Sequence, residues 1–152
     1  MGRVDYSIES DPETTARAMG YEMPISFKHA VEICSALRGM KVSEARKLLN
    51  DVIELRRPIP FRKHKRKVGH RSELSGWKIG RYPQKAARAI LKVLENAVNN
   101  AEYKGLDTER LVIMHIAAKK GRVLRGYIPR AYGRATPHNK TLTTVEIILR
   151  EV

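Results

Sequence analysis

Apolar residues recur at helical spacing in three stretches of the chain and at alternate positions near its end, and this rhythm predicts most of the elements. Phe27, Ala30, Val31, Cys34 and Leu37 fall on one side of a helix that Ser26 would cap and Gly39 would stop in a left-handed conformation. Ala45, Leu48, Leu49, Val52 and Leu55 make a second stripe, capped by Ser43 and ended by Pro58. The short link from Gly39 to Val42 turns the two helices into a hairpin. Pro83, read at the first-turn position, opens the longest helix, with Ala86, Ile90, Leu94, Ala97 and Ala101 buried and Gly105 closing it. That helix spans roughly 30 Å at ~1.5 Å per residue.

After Gly105 the texture changes. LVIMHIAA, RVLRGYI and LTTVEIIL are rich in β-branched and aromatic residues and predict three strands. Lys120-Gly121 reads as a tight turn between the first two. Val145, Ile147 and Leu149 alternate with Thr144, Glu146 and Ile148, the pattern of a strand buried on one face. Between the second and third strands lies IPRAYGRATPHNK, where Pro129, Gly133 and Pro137 mark the tip of a long hairpin. The expected fold is α/β of the α+β type: three helices packed on a small antiparallel three-stranded sheet with a long projecting β-hairpin. At 152 residues a single domain over 1–152 is sufficient.

Charge changes this picture from a plain globule to one with specialised surfaces. The formal net charge is +14, and two segments exceed it: Arg56 to Tyr82 carries ten basic residues against Glu73 alone, and Arg110 to Val145 carries eight with no acid in 36 residues. They hold +9 and +8, so the rest of the chain carries −3, like an ordinary soluble domain. Such a balance calls for a polyanionic partner. The hydrophobic content of 42% still supports a core. Cys34, the single cysteine, excludes an internal disulfide and reads as a core residue in a reducing compartment. No stretch approaches the ~18 apolar residues of a membrane span, and MGRVDYSIESDPE lacks a signal-peptide core, so the expected location is cytoplasmic, with no membrane span.

The candidate chemistry is RNA binding. At the hairpin tip, Arg130-Ala131-Tyr132-Gly133-Arg134 joins guanidinium groups that stack on bases and grip phosphates to small residues that let a backbone approach closely. Lys119, Lys120, Arg122, Arg125 and Lys140 extend that surface along the arms. In the aperiodic loop, Arg62, Lys63, Lys65, Arg66, Lys67, Arg71, Lys78 and Arg81 supply charge, and Trp77 and Tyr82 are stacking or anchoring rings; the loop reads either as a disordered basic linker or as one that orders against folded RNA. Lys85, Arg88, Lys92, Asn96 and Asn99 share one face of the third helix, which reads equally as a solvated face or one lying along phosphates.

Catalysis finds no such support. The histidines, His29, His64, His70, His115 and His138, are dispersed, His29 and His115 reading as a helix-surface and a strand residue. No phosphate-cradling Gly-rich loop, nucleophile elbow or paired acids in the basic regions are found, so neither metal nor cofactor is expected and the chain is not read as an enzyme. An RNA-modifying enzyme fails for want of a catalytic set. A regulator of duplex DNA would need Arg, Asn and Gln concentrated at a helix N-terminal turn, which the sequence does not supply.

The residues also carry a resemblance. ISFKHAVEICSALRGMKVSEARKLL, PFR, GRYPQKAARAILKVLENAVNNAEYKGLD and LVIMHIAAKKGRVLRGYIPRAYGRATPHNKTLTTVEIIL resemble, over nearly the whole chain, the universal large-subunit ribosomal protein twenty-two family in its archaeal and eukaryotic form. The basic loop at about 57–82 is similar to the insertion that separates this form from the bacterial one. The resemblance implies three helices against a small antiparallel sheet, with the body near the exit-tunnel opening and an extended hairpin at about 122–145 reaching inward to line the tunnel. Its arms would be about Arg122 to Ile128 and Asn139 to Val145, its tip about Pro129 to His138, and Arg130 and Arg134 match the family's PRAxGRA motif. The implied partners are large-subunit rRNA, neighbouring large-subunit ribosomal proteins and the nascent polypeptide. Thr136-Pro137-His138-Asn139 departs from the family's bacterial members in carrying less charge.

Overall fold

The computed structural model describes residues 5–152; the first four residues of the expected domain lie outside the described part. Strand β1 (Thr15–Met23) is followed by helices α1 (Phe27–Leu37) and α2 (Val42–Ile53), a two-residue pair β2 (Ile59–Pro60) and β3 (Gly80–Arg81), and the long α3 (Gln84–Tyr103). A short 3-10 turn (Thr108–Arg110) leads into β4 (Leu111–Leu124), β5 (Tyr127–Pro129), β6 (Ala135–Pro137) and β7 (Lys140–Glu151).

The main sheet runs β1-β7-β4, antiparallel throughout. Helix α3 packs on β1 and β7, α1 on β4, and α2 on α3. Ile33, Leu37, Leu49, Ile90, Leu94, Ile113, Ile116 and Ile147 close the core between helices and sheet. Each such side chain contributes about 1.5–3 kcal/mol by leaving water. The turn between α1 and α2 is stitched to the sheet, because Gly39 N–H donates to Ile113 C=O (3.0 Å) and Ile113 N–H to Met40 C=O (2.9 Å). Gly39 takes φ 78° there, as its stop role requires.

Several sequence expectations change. LVIMHIAA and the start of RVLRGYI are one strand, β4: Lys120-Gly121 is a bulge in its pairing with β7, not a turn. A side chain at Gly121 would meet Leu142 C=O at 3.2 Å, so the glycine serves close approach. The third strand of the sheet is β1, which the apolar pattern did not reveal. Strand β7 is buried on both faces from Thr143 to Leu149, not on one. Its helix-facing side holds Val145, Ile147 and Leu149; on the other side Thr144, Glu146 and Ile148 are buried as well, and Glu146 accepts from Ser7 N–H in the segment that precedes β1. Helix α2 begins at Val42, with Lys41 at the cap and Ser43 inside the first turn, and it ends at Ile53, leaving Leu55 exposed at φ 62°. Pro83 is the residue before α3 rather than within its first turn, and Ser26 flanks α1 without a side-chain capping bond.

Candidate nucleic-acid interface

The hairpin leaves the body where two bulges face each other across β7. The pairing of β1 slips between Gly20 and Met23, that of β4 between Lys120 and Val123. Arg122 joins them: its guanidinium lies 2.7 Å from the Glu22 carboxylate, and Glu22 N–H donates to Thr144 Oγ1 (3.2 Å). Glu22 raises the Arg122 pKa further, first by its hydrogen bond and then by its charge. This pair marks the base of the arm.

Beyond it every residue from Arg122 to Lys140 is exposed, except Gly126 at the narrow point. There β4 and β7 give way to β5 and β6, with His138 N–H donating to Gly126 C=O. The tip closes as Arg134 N–H approaches Ala131 C=O (3.4 Å), with positive φ at both central residues, Tyr132 (57°) and Gly133 (65°). Beneath it Arg130 N–H donates to Arg134 C=O (2.8 Å), and at Gly133 the left-handed conformation costs no side-chain strain. Nine residue steps from Val123 to Tyr132 give the arm a reach of about 30 Å. Among the described residues Arg125, Arg134 and Lys140 have no acidic partner, while Arg130 Nε donates to Thr136 Oγ1 (3.2 Å). Tyr132, 97% exposed, stands at the far end.

The loop between α2 and α3 is folded onto the body. Phe61 is buried, its N–H donates to Ile79 C=O (2.9 Å), and Trp77 Nε1 donates to Phe61 C=O (3.0 Å), so Trp77 acts as an internal anchor. Arg71 lies over the Tyr82 ring at 5.3 Å, and Arg81 donates to Lys67 C=O (3.1 Å). A carboxylate holds the start of the loop: Glu32 of α1, 1% exposed, accepts the backbone N–H groups of Arg62 (2.9 Å), Lys63 (2.8 Å) and His64 (2.7 Å). The cations then fan outward. Lys63, Lys65, Arg66 and Arg81 meet Lys28 and His29 of α1 around one acid-free cleft. His29 packs edge-on against Phe61 at 5.5 Å, and burial, then the charge of Arg81, push its pKa down. Lys28 and His29 escape sequence reasoning because only the fold brings α1 beside the loop.

Lys67, Arg71 and Lys78 are exposed on the same loop. On α3, Lys85, Arg88, Lys92 and Asn96 rim a shallow groove floored by Met19, Met23 and Val93. Two of the sequence-selected cations turn partly inward. Lys119 Nζ lies 2.7 Å from Glu146 and donates to Asp5 C=O (2.7 Å), and Lys120 Nζ sits over the Phe27 ring at 5.5 Å. Glu146 is fully buried and also accepts from His115 Nε2 (3.0 Å) and Ser7 N–H (3.1 Å). Burial works to raise its pKa, but the hydrogen bonds from Lys119, Ser7 and His115 outweigh it and hold the carboxyl below its usual range. Among the described residues no group of three or more His, Cys, Asp and Glu side chains could hold a metal ion, and no helix is long and apolar enough to cross a membrane.

The sequence profile described as ribosomal protein L22p/L17e matches residues 18–150, which takes in β1, all three helices, the basic loop and the whole hairpin. The chain belongs to the L22p/L17e family. It is 63% identical over 149 residues to the large ribosomal subunit protein uL22 of Archaeoglobus fulgidus, covering 97% of this chain and 96% of that one. The protein of the same name from Methanothrix thermoacetophila is 60% identical over 152 residues, covering 100% and 99%. That from Methanocaldococcus jannaschii is 56% identical over 151 residues, covering 99% and 97%. The expected resemblance and the α+β architecture of three helices on an antiparallel sheet both hold for this L22p/L17e member.

Proposed function

We propose that this chain is a structural, non-enzymatic component of the large ribosomal subunit in the cytoplasm. It binds large-subunit rRNA, supports subunit assembly and lines the nascent-polypeptide exit tunnel with its hairpin. The observation that carries the reading is the arm: acid-free, exposed along its length and stretched about 30 Å away from any core that would stabilise it. Such a structure gains its contacts from a partner that surrounds it. The basic loop and the α3 rim hold the body on RNA, the hairpin reaches inward, and neighbouring ribosomal proteins meet the remaining surface. Affinity comes chiefly from phosphate neutralisation and counterion release.

With about ten phosphates contacted, the RNA affinity of the isolated protein falls with a log-log salt slope near −7. A slope near zero sinks the electrostatic account. The chain also co-sediments with large subunits in salt that strips loosely bound factors, and recovery only in the free fraction would overturn the ribosomal role. For the tunnel, a photoreactive residue at Tyr132 labels the nascent chain of translating ribosomes and one at Tyr103, on the end of α3, does not. Labelling from Tyr103 alone refutes the tunnel role.

A further inference from the structure

We infer that Glu32, an acid, is a positioning residue for RNA binding: its buried carboxylate fixes the backbone of Arg62, Lys63 and His64 and so aims the cations of the basic loop. This rests on the rRNA-binding reading above. Strong backbone donors need partners when buried, and a carboxylate that accepts several N–H groups makes short, charge-assisted bonds with each. All three donors to Glu32 are main-chain amides, at 2.7 to 2.9 Å. The carboxylate therefore sets a backbone shape and leaves the side chains of Arg62 and Lys63 free and exposed. Phe61, buried one residue earlier, fixes the entry to this turn, but from Arg62 to Lys67 no side chain is buried. The Glu32 carboxylate is what holds the backbone of Lys63 and His64 beside Lys28 and Arg81 at the shared cleft.

The sign of the effect separates this role from plain electrostatics. Removing a negative charge from a protein that binds a polyanion raises affinity if charge alone acts. Removing the Glu32 carboxylate is expected to do the reverse. In Glu32→Gln the amide nitrogen cannot accept an N–H, so the turn loses part of its support. Full-length Glu32→Gln should bind purified large-subunit rRNA at least about tenfold more weakly, a loss near 1.4 kcal/mol by the affinity conversion. Its salt slope should be shallower by up to about 3, the share of four disengaged cations. Glu44→Gln, removing an exposed acid of α2, should bind as tightly as the wild type or tighter.

Should the Gln variant fail to fold, Glu32→Asp keeps the charge but falls short by one methylene. Its amides at Arg62 to His64 should exchange faster while those of β7 do not, with affinity reduced in step. Equal or tighter binding by a folded Glu32 variant overturns the inference. Salt-independent binding by the wild type instead sinks the RNA reading itself, so the two failures are told apart.

Discussion

Glu146 carries three donors on a carboxylate that no water reaches, and its folded pKa lies below the ordinary 4.5. The unfolded chain therefore binds the proton more tightly than the folded one. The stability this group contributes is fully present above the unfolded value and is lost as pH falls through the folded one. Chemical denaturation followed from pH 7 down to pH 3 should show stability declining below about pH 4.5. Glu146→Gln should cost roughly 2–3 kcal/mol at pH 7, since it leaves the Lys119 ammonium poorly paired, and should show a flatter acid limb. An unchanged acid limb would remove Glu146 as its source. Neither Glu146 nor Glu32 was legible as a buried acid. Alternation along β7 places Glu146 with the solvent-facing set, and the helical spacing of α1 places Glu32 away from the Ala30, Cys34 and Leu37 stripe. Each is covered by a segment distant in sequence, and residue spacing holds no information about that cover. The exposed cations of the tip, by contrast, were readable because nothing folds over them.

At the scale of elements, the hairpin is held by its own ladder alone. The distal β5 and β6 strands are three residues each, below the size at which an isolated ribbon is stable in water. In the free protein, amides at Tyr127 to Pro137 should exchange far faster than those in the middle of α3, and should gain protection when RNA is added. Equal protection without RNA would contradict this. Helices were the more legible elements because their apolar stripes are strong and their glycine stops local. Strand β1 was missed since its buried positions are Thr15, Ala16 and Ala18, too small or polar to mark an apolar pattern, and its burial comes from α3 packed above it. Lys120-Gly121 was misread because the same glycine that permits a turn also permits the close approach of a bulge.

For the whole molecule, positive charge is divided between a loop folded on the body and an arm that projects from it, and the two parts can be separated. Leu124 lies opposite Lys140, so replacing residues 125–139 with Asn-Gly should close a short hairpin and leave the core untouched. The deletion removes Arg125, Arg130 and Arg134. The shortened protein should retain its thermal midpoint, while its salt slope on RNA should fall by about 2 in magnitude. A slope unchanged by the deletion would show that the arm contacts no phosphates.

The place of β7 has a consequence for how the molecule is made. Strands β1 and β4 do not pair with each other in the sheet; each pairs with β7, which follows every other element in chain order. During synthesis β1 is therefore an unpaired edge throughout, and the helices have no complete surface to pack on until the final strand has emerged. The ladder that joins Thr15 to Arg150 is highly non-local, and such contacts close slowly. A growing chain with its basic loop already exposed and its sheet still open must wait among abundant nucleic acid, so folding of this protein waits for the emergence of β7. A ribosome-bound intermediate stalled before Lys140 should be cleaved readily by protease within α3, and one from which all of β7 has emerged should not.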